Sequence, residues 1–155
     1  MTTAAETPMR FWILLGLLPL ALTETVQAAS QDWTASSTTA MAITGDISLA
    51  DDRVVFQNGT SLELQALGHD RPGLYRVTPE QNPELLNGNR LCGKQPPTFI
   101  VLAHSADRAS LAESQSLHLK VFNGPEAPPA AATVGMDTSA PGFCALFNYE
   151  RAGAR

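Results

Sequence analysis

Two cysteines are all this 155-residue chain has, and neither belongs to a Cys-x-x-Cys pair or has a histidine at ligand spacing. That excludes the common cysteine-based zinc motifs and a dithiol redox motif. Basic residues are also scarce, ten Lys and Arg against fifteen Asp and Glu, for a net charge of −5. Nucleic acid is therefore not an expected partner, because the basic footprint that binds phosphate is missing. After residue 22 no apolar run is long enough to cross a bilayer as a helix, which takes about 20 residues. A G-x-S-x-G elbow is absent, as are H-x-x-x-H and H-x-H spacings, and no cofactor or metal ligand set is expected.

What is present begins with an export label. Arg10 leads into the apolar run Phe11 to Leu22, and Val26-Gln27-Ala28 places small residues where a signal peptidase cuts. Residues 1–28 are read as a signal peptide cleaved between Ala28 and Ala29. Glu6 and Pro19 depart from the ideal signal; a lipoprotein cysteine and a twin-arginine pair are both lacking. Glu6, Glu24 and Arg10 carry a net −1, so cleavage leaves 127 residues at −4, a single domain that is not membrane-spanning. The mild acidity is first of all a solubility property.

In an oxidising compartment the even pair Cys92 and Cys144 is expected to form a disulfide. Closing a loop of about 50 residues contributes roughly 4 kcal/mol in the chain-entropy account. That is a large share of a total stability of about 5–15 kcal/mol.

Strand signals dominate the rest. Met41, Ile43, Ile47 and Leu49 fall on alternate positions around Thr44, Asp46 and Ser48, which predicts one strand with a break at Gly45. Val54 and Phe56 alternate in one hairpin arm, Leu62, Leu64 and Ala66 in the other. A three-residue loop, Gln57-Asn58-Gly59, pairs Val54 with Leu62 and places Gly59 in the left-handed position; a two-residue loop would set apolar against polar. Leu74 to Thr78 reads as a short strand, and Asn82-Pro83-Glu84 as the cap and first turn of a helical segment stopped by Gly88. Phe99 to Ala103 is apolar on both faces and should be central. Ser116 to Phe122 points Leu117, Leu119 and Val121 inward, leaving His118 solvent-facing and solitary. Glu126 to Pro141, rich in Ala and Pro, is read as part of a long mobile loop over 125–141. Phe143, Ala145, Phe147 and Tyr149 share one side of a final strand. With Trp33 in an additional strand, this is an all-β domain over 29–155. It is a small antiparallel barrel-like or two-layer sheet of seven to eight strands with one short helical turn.

The block Asn82-Pro83-Glu84-Leu85-Leu86-Asn87-Gly88-Asn89-Arg90-Leu91-Cys92-Gly93, with Phe99-Ile100-Val101-Leu102, Val121-Phe122-Asn123-Gly124 and Cys144-Ala145-Leu146-Phe147-Asn148-Tyr149, resembles a set of short exported bacterial proteins of unknown function. The resemblance spans most of the mature chain and implies a bacterial periplasmic location, but no activity. Secreted lysozyme inhibitors are similar in architecture only, because their inhibitory-loop motif is not evident here.

His104, Ser105 and Asp107 supply the residue types of a hydrolase triad, but neighbours in one loop rarely reach triad geometry. His69-Asp70-Arg71 could hold an anion or a metal ion but is better explained as turn composition. The polar turn of Asn87, Asn89 and Arg90 sets amide and guanidinium donors beside the expected bridge. It is the candidate binding loop, although helix-stop chemistry accounts for the same residues. Phe122, Phe147 and Tyr149 could line a pocket mouth but are expected in the core. The functional expectation is a non-enzymatic β module that binds a periplasmic protein or envelope component. The alternatives are a small hydrolase whose site converges from separate strands, or a barrel carrying a small apolar ligand.

Overall fold

The computed structural model describes Met1 and residues 30–153; the expected signal segment and the Ala28–Ala29 junction lie outside the described residues. Eight antiparallel strands form a closed barrel: β1 (Gln31–Ala35), β2 (Ile47–Ala50), β3 (Arg53–Phe56), β4 (Ser61–Ala66), β5 (Leu74–Val77), β6 (Phe99–His104), β7 (Ser116–Phe122) and β8 (Phe143–Arg151). Each strand pairs with the next, and β8 returns to β1 with Ala35 opposite Tyr149. Among the described residues every strand of the barrel therefore has a neighbouring strand on each side.

Inward-facing side chains follow the period of 2. Trp33, Phe56, Leu62, Ile100, Leu119, Phe147 and Tyr149 belong to one buried cluster that fills the barrel. The β3–β4 hairpin has the expected register, Val54 opposite Leu62, and Phe56 N–H donates to Thr60 O across the three-residue loop. Gly59 holds φ +84°, the left-handed position that the loop requires. Strand β6 is buried on both faces from Phe99 to Ala103, as its composition predicts.

The expected strand from Met41 to Leu49 is corrected in its first half. Thr38–Ile43 is a short helix, α1, and Met41 lies exposed. Ser37 caps it by accepting the Ala40 N–H at 3.2 Å, and Gly45 at φ +63° turns the chain into β2. Ala40, Ile43 and Thr44 then share the inward face at helical spacing. The helical turn expected at Asn82-Pro83-Glu84 starts later, as a 3-10 turn over Leu86–Gly88. Asn82 does not cap it, because its amide donates to Gly93 O at 3.1 Å. Helix α1 and the segment 79–97, through Ala40, Leu85 and Leu91, plug one end of the barrel.

A bulge between Val121 and Phe122 shifts the β7–β8 register, so Val121 faces Ala145 and Phe122 faces Phe143. Phe143 therefore leaves the side it was expected to share with Phe147. It packs edge-on against Phe122, ring centroids 5.9 Å apart, outside the barrel. There Leu74, Phe99, Val101, Ala103 and Phe122 form a second apolar cluster. The segment 125–141 lies over it as a strap and carries a 3-10 turn at Ala130–Thr133, whose Ala132 is buried in that cluster.

Candidate functional site

Cys92 and Cys144 form a disulfide, Cα to Cα 5.6 Å, tying the segment 79–97 to β8. The expected binding loop lies beside it, and its donors are turned onto the protein. Asn87, at φ +58°, donates its amide to Ala42 O at 3.0 Å, and Asn89 donates to Leu86 O at 2.9 Å. The Arg90 guanidinium donates to Asn82 O and stands 3.6 Å from the Glu84 carboxylate. These side chains stitch the end plug to itself and to α1.

The triad residue types do not assemble. His104 Nδ1 lies 2.9 Å from Ser105 O, a carbonyl to which it can only donate. The Ser105 hydroxyl meets Ser114 Oγ at 3.3 Å, and Asp107 pairs with Arg108. His69 is exposed in its turn. His118 is not solitary: it is half-buried and its Nδ1 sits 2.9 Å from Asn148 Oδ1, because its neighbour on β8 covers it. Among the described residues no three His, Cys, Asp or Glu side chains stand together as metal ligands.

The largest hollow described lies on the outer wall over β1–β3, on strands the strap leaves uncovered. It measures about 370 Å³ and is lined by residues that include Asp32, Thr34, Asp46, Ser48, Val55 and Gln57. That volume falls within the roughly 300–1,000 Å³ of small-ligand sites. Two hollows at the unplugged end, about 100 and 110 Å³, share Leu102 and Leu111 and are too small for a whole ligand. Tyr75 lines one of them; burial first and Asp51 second hold its phenol above the usual range.

The groove is built on fixed geometry. Asp32 Oδ1 accepts from the Ser48 hydroxyl at 2.5 Å, bridging β1 and β2. Asp46 Oδ1 accepts the Ala35 N–H at 2.8 Å, and Gln57 Oε1 accepts the Asp46 N–H at 3.1 Å. Gln57 lies so close over Gly45 that an added Cβ would stand 1.9 Å from its Oε1. Neither Asp32 nor Asp46 takes part in an ion pair among the described residues. Two carboxylates without a cation between them give the groove a negative field. Period 2 places Asp32 and Ser48 outward, but nothing in the sequence set them side by side. Their pairing, Asp32 opposite Ser48, follows from how α1 returns the chain.

The fold and bridge define a disulfide-linked, closed eight-stranded antiparallel barrel. Comparison with family models, curated proteins and solved structures finds no match.

Proposed function

We propose that this protein is an exported, non-enzymatic binding module of the periplasm. In this reading the outer face of β1–β3 holds a basic segment of an envelope protein or another cationic envelope component. The signal-like N-terminus and the disulfide support the compartment. Among the described residues no helix is long and apolar enough to cross a membrane. The groove of about 370 Å³, carrying Asp32 and Asp46 on a rigid wall, is the observation that carries the reading. Rigid scaffolds presenting polar groups in a hollow recognise partners at low ordering cost.

The test is capture from envelope extract on immobilised oxidised protein, beside Asp32→Lys and Asp107→Lys baits. Wild type and Asp107→Lys should retain the same basic component, released by raised salt, and Asp32→Lys should lose it. Equal retention by all three baits, or none above background, would remove this face from the function.

A further inference from the structure

The unplugged end of the barrel holds a donor that nothing in the described chain accepts. Trp33 points inward from β1 and is 1% exposed, and its indole Nε1 is buried without a hydrogen-bond partner among the described residues. A buried N–H left unpaired carries the full cost of losing water, and native structures seldom leave one so. Its place follows from Arg151. That guanidinium stands 4.6 Å from the Trp33 ring centroid and donates to Leu111 O and Ser114 O at 3.1 Å each, so the indole lies beneath the 105–115 loop.

The two hollows at this end flank one side chain of that loop. Leu111 lines both, as does Leu102; Leu49 and Tyr75 line one, His104 the other. At about 110 and 100 Å³ neither reaches the roughly 300 Å³ at which small-ligand sites begin. With Leu111 turned aside they join into one space that approaches it. The Arg151 bonds fix the backbone at Leu111 but not its side chain, which is half-buried and has other staggered rotamers to occupy.

The chemistry of the walls defines what fits. An occupant must be mainly apolar to cover Leu49, Leu102 and the Tyr75 ring. It must bring an acceptor for the Trp33 donor. It must also be uncharged: Asp51 lines the rim and repels an anion, the Arg151 guanidinium is already engaged by three carbonyls, and apolar walls do not offset the burial of a charge.

We infer that the unplugged mouth of the barrel binds a small uncharged apolar molecule through one oxygen acceptor, which takes the Trp33 Nε1–H while Leu111 gives way to its body. This ligand is separate from the cationic partner proposed for β1–β3 and does not depend on it.

Cyclohexanone and methylenecyclohexane test the site, being alike in shape with an acceptor on the first alone. Methyl NMR of the oxidised protein locates binding. Trp33 emission reads the contact, since the other tryptophan, Trp12, lies in the expected signal segment. Cyclohexanone should shift the methyls of Leu49, Leu102 and Leu111 saturably and move Trp33 emission to the red. Methylenecyclohexane should bind roughly tenfold more weakly or worse, because it leaves the indole donor unpaired. Leu111→Ala, which removes the stopper, should tighten cyclohexanone binding by roughly tenfold. The inference fails if neither protein shows a saturable shift, if the two compounds bind wild type equally, or if the shifts centre on Val55 in the outer groove. Unchanged affinity in folded Leu111→Ala would overturn Leu111 as the residue that gives way.

Discussion

The Tyr149 hydroxyl lies 2.6 Å from the Thr44 hydroxyl, joining the last strand to the end of α1 across 105 residues. Thr44 is fully buried and its hydroxyl also reaches Ala40 O at 3.0 Å, so the pair closes a polar network inside an apolar plug. Burial, only partly countered by the Thr44 bond, pushes the Tyr149 phenol well above its ordinary value of 10.

From that relationship follows an alkaline weakness. The unfolded phenol ionises near pH 10 while the folded one keeps its proton, so above pH 10 the native state binds more protons and stability falls. The slope from this group is about 1.4 kcal/mol per pH unit, and it vanishes below pH 10. Tyr149→Phe should cost about 1 kcal/mol at pH 7 for the lost hydrogen bond and should flatten the alkaline slope. Urea unfolding of both proteins at pH 7, 9.5 and 10.5 measures this; parallel curves would show that Tyr149 does not titrate on unfolding.

The disulfide closes a 52-residue separation and should contribute about 4 kcal/mol by restricting the unfolded chain. Cys92→Ser with Cys144→Ser should lower the unfolding free energy by that order. Amides of the end plug, 79–97, should lose exchange protection before those of β6. Equal protection in both regions would mean that the bridge does not hold the plug.

Gly45 combines φ +63° with the Gln57 side chain lying directly above it. Gly45→Ala should destabilise by roughly 2–3 kcal/mol, through left-handed strain and displacement of Gln57. Gln57→Ala should not rescue it, because the Gln57 Cβ itself would stand 2.5 Å from the new methyl group. Restored stability in the double variant would assign the cost to the amide end alone.

Arg151 places its guanidinium 4.6 Å from the Trp33 ring centroid and donates to the carbonyls of Leu111, Ala112 and Ser114. That one side chain pins the 105–115 loop over the unplugged end. Arg151→Lys keeps the charge but loses the fork, and should cost about 1–3 kcal/mol. Limited proteolysis should then cut within 105–115 faster than elsewhere; an unchanged cleavage pattern would show that other contacts hold the loop.

Local alternation was enough for the hairpin register of Val54 and Leu62, for the burial of β6 on both faces and for the inward set Leu117, Leu119 and Val121. In the hairpin the apolar period has one reading and Gly59 at the turn agrees with it; in β6 and β7 the run of apolar residues or their alternation sufficed without help from the turn between them. Alternation failed at Met41 and Ile43, where period 2 and a single helical turn put the same few residues on similar positions. Ser37 tips that choice by capping, and the plug needs Ala40 inside. It failed again at Phe143, because a bulge is set by the facing strand. At the groove, alternation marked Asp46 and Ser48 as the polar side of a strand but singled out neither Asp32 nor the pairing that sets it opposite Ser48.

Taken alone, the order of residues determined an all-β chain with a bridgeable pair of cysteines, since side-chain period and turn chemistry act over a few positions. Only the tertiary structure decided that the sheet closes without an edge and that the Ala- and Pro-rich segment becomes a second outer layer. Lys120 shows the physical reason. It points away from the barrel, as its place in β7 requires, yet it is fully buried, because burial is the work of whatever chain returns to cover it.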